Sequence, residues 1–420
     1  MKLNNFFFIS LSLSAVTFIS GFFSYFFQIL LSNYLSVENF GTYNSLLSFS
    51  GFLGIPLSVF SVLLLKQYSY FYEKKKINNI RILFSYCLKI SLIIALLLLF
   101  LFKIFENFLC DFLKISSKET YWYFAIMHLL GIFLPFFLYY LQSIRNFFNY
   151  SLLNISASFL RVFFTFIFLY IFANTLNVVF ISLILTAIAS LVLGFYFLSN
   201  CSITPNFLFK KNEIKPKFSQ INLTNYIKSG IVVLSFSLIL QIDILIINYY
   251  FDKNLSGNYA LASLFAKVIF FIPSGVNSLM LIELPGKYLM KKKISQYLNN
   301  SLIFITIFSL IFILFIYYFG PFLINYFYGD KFIIAQELIK FLPLVFFPYT
   351  LIQCFEYFLL GKNEITFSYI YIFMLPFFAY LLKLYSNNIN NVILIIGLFG
   401  YVFLFLGLII FIFKNRITNS

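Results

Sequence analysis

The chain has 420 residues, of which 62% are hydrophobic and only 10% charged, and its mean hydropathy is +0.96. A membrane-spanning helix needs about 20 apolar residues, so about 12 spans would use nearly all the apolar positions and leave no sizeable soluble domain. This excludes a secreted enzyme, a nucleotide-binding fold and a soluble DNA binder, although Lys and Arg (29) outnumber Asp and Glu (13). In polytopic proteins the basic excess sits in cytoplasmic loops and meets anionic headgroups, so nucleic acid is not implied. Cys87, Cys110, Cys201 and Cys354 lie far apart in sequence and form no metal-binding or disulfide spacing, and no cofactor or metal is expected.

The first apolar run, 6–31, is too long for a signal peptide and lacks a small-residue cleavage site, and it reads as the first span. Further spans are predicted at 41–65, 82–102, 121–141, 151–172 and 176–198. The polar stretch 199–220, with Pro205, Pro216 and four lysines, is the candidate link between halves. Six more spans follow at 226–247, 257–282, 301–319, 336–360, 366–385 and 392–413. With the N-terminus inside, about three times as many Lys and Arg fall on the inner as on the outer segments, which predicts that both termini are cytoplasmic.

An internal repeat crosses this division. Gln28 to Tyr34 aligns with Asp243 to Tyr249 at an offset of 215, Gly41 and Tyr43 match Gly257 and Tyr259 at 216, and Pro56 matches Pro273 at 217. The polar matches fall in order at a nearly constant offset, which compositional chance explains poorly. A duplicated bundle with an even number of spans per half would place both halves in the same orientation.

On these residues the sequence resembles the oligosaccharide flippases of the polysaccharide biosynthesis family, called Wzx, within the superfamily that includes MATE exporters and the lipid II flippase. The best-matching parts are Asn33 to Tyr43, its counterpart Asp243 to Tyr259, and Phe327 to Phe332. The resemblance implies an all-α polytopic membrane protein of about 12 transmembrane helices in a MATE-like arrangement of two six-helix bundles. These would be 1–198 and 221–420, joined by a cytoplasmic linker at 199–220. It further implies a central cavity with alternating access, no enzymatic activity, a cytoplasmic (inner) membrane location and action as a monomer among membrane lipids. The cargo would be a polyprenyl-pyrophosphate-linked oligosaccharide for O-antigen, lipopolysaccharide or another surface polymer. The first span lacks the cations that the lipid II flippase places there, so that protein's headgroup contacts do not transfer.

Moving a pyrophosphate and sugars through hydrocarbon requires cations for phosphate and amides, hydroxyls or aromatics for sugar. Charges within spans usually face cavities or one another. Lys267, about 15 Å from the outer end of its span at 1.5 Å per residue, is the leading phosphate ligand; pairing with Asp243 or snorkelling stands beside that reading. Arg161, near mid-span, has a guanidinium suited to bidentate phosphate contact, or else forms a structural interhelical pair. Asp243, about one turn from the outer end of its span, is the candidate for coupling to H⁺ or Na⁺, with a static Lys267 pair as the alternative. Gln28, Asn33, Asn248 and Asn277 are candidate sugar contacts, although amides in bundles also serve as interhelical hydrogen-bond partners. Lys89, Lys340 and Glu356 read as boundary residues, and His128, the only histidine, cannot form a metal cluster alone.

Two other functions compete. A MATE-type drug or cation exporter would favour acids within its spans, whereas this chain has more intramembrane cations than acids. A membrane glycan polymerase or glycosyltransferase would need catalytic carboxylates in a structured outer loop, and the longest outer segments, 103–120 and 320–335, are short.

Overall fold

The computed structural model describes residues 3–54, 75–199, 241–271, 295–361 and 366–419, with isolated positions at 56, 57, 60, 64, 68, 71 and 273. Among the described residues all regular structure is helical. The helices are α1 (Leu3–Tyr34), α2 (Val37–Leu53), α3 (Ile77–Ile104), α4 (Glu106–Phe112), α5 (Lys118–Gly131), α6 (Leu134–Ser143), α7 (Phe147–Ile171) and α8 (Leu176–Ser199). Helical residues 241–250 precede α9 (Lys253–Ala266), which tightens into a 3₁₀ turn at Lys267–Phe270. There follow α10 (Ser295–Tyr328), a 3₁₀ turn at Asp330–Phe332, α11 (Ile333–Leu338), α12 (Leu342–Gly361), α13 (Thr366–Leu384) and α14 (Ile389–Asn419).

Helices satisfy their own backbone groups, which is what hydrocarbon demands of a spanning segment. Among the described residues 7 helices are long and apolar enough to cross a membrane, α5 and α6 counting together as one, and large apolar side chains such as Phe100, Tyr318 and Leu398 lie exposed on their surfaces. The chain is therefore an all-α, multi-pass membrane protein. Helix α12 is the most enclosed of the seven and α3 the least.

Side chains close several helix starts. The Thr120 N–H donates to Ser117 Oγ at the start of α5, the Asn149 N–H to Asn146 Oδ1 at α7, and the Leu255 N–H to Asp252 Oδ2 at α9. The span predicted at 121–141 is present as the apolar stretch Lys118–Ser143, within which α5 gives way after Gly131 to α6, with Pro135 in the first turn of α6. The span predicted at 336–360 begins later than expected, at Leu342; residues 333–338 form the separate α11, and Lys340 lies in the turn between them. Prolines 321, 348 and 376 lie within α10, α12 and α13. Of the linker read at 199–220, only Ser199 lies among the described residues.

Packing divides the chain into two units: residues 1–40 with 56–221, and residues 41–55 with 222–420. In the first unit α7 packs on both α1 and α8, and α8 also covers α5. Its core holds an aromatic cluster of Tyr68, Phe84, Phe137 and Tyr140, met mostly edge-on. In the second unit α12 packs on α10 and α14, and α9 on α11. Residues 41–55 depart from the sequence reading, which kept them in the bundle 1–198; they pack with the second unit. A Cβ built on Gly41 would lie 2.7 Å from both Cα and N of Gly257, so the two repeat-related glycines let backbones meet where side chains would hold them apart. Likewise a Cβ on Gly51 would lie 2.9 Å from Gln241 Cδ and Nε2.

Gly41→Ala is expected to lower stability by about 1–3 kcal/mol through overpacking, seen as a lower unfolding temperature in detergent. Gly21→Ala, where a new Cβ meets nothing within 4 Å, is expected to leave stability unchanged or raise it. Equal effects would show that the Gly41–Gly257 approach is not constraining.

Outside the spans, Glu106 of α4 bonds Lys103 Nζ at 2.9 Å and Lys118 Nζ at 3.4 Å. The Lys103 hydrogen bond, reinforced by Lys118, holds its carboxyl below the ordinary value of 4.5. A depressed acid contributes stability above its unfolded value and loses it as pH falls through the lower folded value. Hydrogen exchange in 106–112, corrected for intrinsic rates, should therefore speed up on acidification below about pH 4, and Glu106→Gln should remove that dependence.

Candidate functional site

One polar cluster in the second unit is built from the repeated motif. Asp243, on the helical segment 241–250, is buried to 1% exposure. A carboxylate so placed is tolerated only with partners, and α9 supplies them from a single stripe. Tyr259, Ser263 and Lys267 are spaced i, i+4 and i+8, so their side chains stack on one helix face. Tyr259 Oη and Ser263 Oγ donate to Asp243 Oδ2 at 3.1 and 3.0 Å, and Lys267 Nζ donates to Oδ1 at 2.8 Å.

The environment of Lys267 makes it more than a surface ion-pair partner. Its side chain is 17% exposed, and its ammonium stands 5.4 Å from the centroid of the buried Phe346 ring on α12. An aromatic face attracts a desolvated cation. Lys267 also stands at the junction where α-helix gives way to 3₁₀, a geometry frequent at hinges. The span read as regular through 257–282 is therefore locally tightened at its only lysine. One turn along α12, the buried Tyr349 donates its hydroxyl to the Ile396 carbonyl of α14 at 2.6 Å, fixing the wall that carries Phe346.

The remaining predicted residues separate. Arg161 of α7 lies in the first unit, donates from Nη2 to Ser24 Oγ at 2.6 Å and sits 5.1 Å from the Phe27 ring centroid, both on α1. Gln28 follows Phe27 directly, and its Oε1 is shut from solvent with no hydrogen-bond partner among the described residues. Asn33 is exposed near the end of α1, and its repeat counterpart Asn248 is buried, accepting from Ser256 Oγ at 3.3 Å. Asn277 lies outside the described residues.

Sequence reasoning missed three contributors: Tyr259 and Ser263 as donors to Asp243, and Phe346 as the ring beside Lys267. The four-residue spacing from Tyr259 to Lys267 was the signal for the first two. Phe346 carries none, because nearly a quarter of the chain is aromatic. Glu356, read as a boundary residue, is only 1% exposed because α12 is surrounded by other helices. His128 is buried between Phe102 and Phe124, and no group of three metal-ligating side chains occurs among the described residues.

Breaking a buried ion pair from one side strands the other charge and costs about 3–5 kcal/mol. Asp243→Asn and Lys267→Ala are each expected to destabilise the protein by about that much. The Asp243→Asn/Lys267→Ala double variant should lose clearly less than the sum of the two single losses, measured by equilibrium unfolding in detergent. Additive losses would mean that the two side chains do not interact.

No protein-family model matches the chain, and no curated protein does. Several solved structures share its fold. An inward-facing multidrug resistance MATE family transporter of the MOP superfamily superposes with a TM-score of 0.73 at 14% identity, over 92% of each chain. The lipid II flippase MurJ in an inward closed conformation gives 0.69 at 15% identity, over 94% of this chain and 86% of its own. A eukaryotic MATE transporter gives 0.62 at 10% identity, over 96% and 93%. At these identities the likeness establishes the fold: the chain has the MATE-like architecture.

Proposed function

We propose that the protein is a flippase that translocates a polyprenyl-pyrophosphate-linked oligosaccharide across the cytoplasmic membrane by alternating access, for assembly of a surface polysaccharide. In this proposal it acts as a monomer of 12 spans in two six-helix bundles, read at 1–198 and 221–420 with residues 41–55 grouping with the second, with both termini cytoplasmic and the link at 199–220. Arg161 and Lys267 bind phosphate, and Gln28, Asn33, Asn248 and Asn277 contact sugar. Asp243 couples transport to an ion.

The observation that carries the reading is an enclosed lysine, Lys267, held ready beside a carboxylate in a fold shared with a lipid II flippase. An anionic cargo competes directly with Asp243 for that ammonium. When the phosphate takes Lys267, Asp243 is left without its cation and must gain a proton or metal ion, because an unpaired buried carboxylate is costly. Cargo binding and ion binding are thereby linked through one pair of side chains. Arg161 adds a guanidinium whose planar fork matches phosphate oxygens, and its hold on Ser24 and Phe27 orients it within the first unit.

A drug or cation exporter is the second reading, favoured by the superposition on a multidrug resistance transporter. Against it, the acid that would attract a cationic drug already has a lysine on it at 2.8 Å.

In liposomes containing the purified protein, a labelled polyprenyl-pyrophosphate sugar is expected to become accessible on the opposite face, and a cationic dye is expected to stay put. Arg161→Ala should slow sugar translocation about tenfold or more, matching the roughly 1.5–3 kcal/mol of a hydrogen bond to a charged group. Asp243→Asn should abolish any dependence on an ion gradient. Dye movement without sugar movement would replace the flippase reading with the exporter one.

A further inference from the structure

We propose that Lys267 is a tethered counter-cation: its ammonium occupies the place on Asp243 that a monovalent metal ion would otherwise take, so that the protein holds no sodium there until the ammonium is removed. This deepens the reading of Asp243 as the coupling carboxylate and rests on it.

The first support is chemical. Asp243 Oδ1, Asp243 Oδ2, Tyr259 Oη and Ser263 Oγ converge on one buried spot, with three donors on a single carboxylate. Oxygen-rich groupings of this kind suit hard cations. Each hydroxyl has lone pairs as well as its proton and can turn one toward a cation. The space beside Oδ1 is filled by an ammonium 2.8 Å away, and the net charge of the cluster is already neutral. A sodium ion entering beside that ammonium would meet like charge at contact distance in a poorly solvated site, where charge repulsion is weakly screened.

The second support comes from the repeat and is independent of the geometry. At the offsets that align the two halves, Gln28 stands where the second half has Asp243, and where it has Lys267 the first half has Gly51 at an offset of 216 or Ser50 at 217, neither of them a cation. Acid and cation are present together in one half and absent together in the other, as expected if the lysine exists to neutralise the acid. A carboxylate that held a diffusible ion at rest would have no need of its own lysine. At Gly51 the missing side chain leaves room for Gln241, whose Nε2 lies 2.9 Å from where a Cβ would be.

The test uses purified full-length protein in detergent, with unfolding temperature measured in NaCl and in choline chloride at equal ionic strength. Wild type is expected to unfold at the same temperature in both. Lys267→Ala should be less stable than wild type in choline and regain part of the loss in NaCl, and it should bind radiolabelled sodium about tenfold or more above wild type. Asp243→Asn added to Lys267→Ala should abolish that gain. If the alanine variant does not fold, Lys267→Met, which keeps the apolar stem, takes its place. Sodium stabilisation of wild type that disappears in Asp243→Asn would overturn the proposal. So would a folded Lys267 variant indifferent to sodium. No arm contains cargo, so a failure to move lipid-linked sugar would overturn the flippase reading and leave this result standing, and the reverse also holds.

Discussion

The structure of the second unit turns on the burial of one charge. A carboxylate at 1% exposure inside a helical membrane protein is tolerable only if several donors reach it at once. That requirement fixes the rotation of α9 about its axis, because Tyr259, Ser263 and Lys267 all have to lie on the face toward residue 243. It also fixes the depth of α9, since sliding by one turn, about 5.4 Å, would exchange each donor for its neighbour in the ladder. The Gly41–Gly257 approach holds the same helix from another side, backbone against backbone. Asn258 ties it to α11 by accepting the Ala335 N–H at 3.0 Å. Helix α9 is thus located by a charge, by the absence of a side chain and by an amide, rather than by apolar packing alone, which discriminates poorly in hydrocarbon.

Composition and apolar runs made the class legible, because hydrocarbon admits few alternatives to the helix. The short motif around Asp243, Gly257 and Tyr259 stood out because it was repeated. It contains the carboxylate of the pair and the glycine of the close approach. The grouping of residues 41–55 with the second unit was not legible: it depends on which helices touch, and two matching glycines 216 residues apart do not say that they face each other. The breaks at Gly131 and at 339–341 were missed for a related reason. Averaged apolarity runs straight through both places, and the cues are a proline in the first turn of α6 and a lysine in the turn before α12.

The candidate site was half visible. Intramembrane charge selected Lys267, Arg161 and Asp243, and the pairing of two of them was one of the readings the sequence left open. The hydroxyl donors and the Phe346 ring were hidden by abundance, since tyrosine, serine and phenylalanine recur on every face of every helix. The placing of Arg161 and Lys267 in different halves followed from their positions along the chain, but the partners of Arg161 on α1, Ser24 and Phe27, did not, because depth along a span says nothing about the direction in which a side chain points.

The difference between the two repeats bears most directly on mechanism. Duplication gives two equivalent positions, and in this chain one carries an acid with its lysine while the other carries a glutamine whose Oε1 is buried without a partner among the described residues. A neutral amide tolerates that situation at the cost of a lost hydrogen bond, about 1–3 kcal/mol, whereas a carboxylate does not. The charged copy is therefore the one whose occupancy must change whenever its lysine moves, and the neutral copy can stay as it is through such a change. Because Lys267 sits where α-helix passes into 3₁₀, a small change in that turn would lengthen or shorten its reach to Asp243. Local helix geometry and the charge balance of the site are in this way coupled within a single turn of α9.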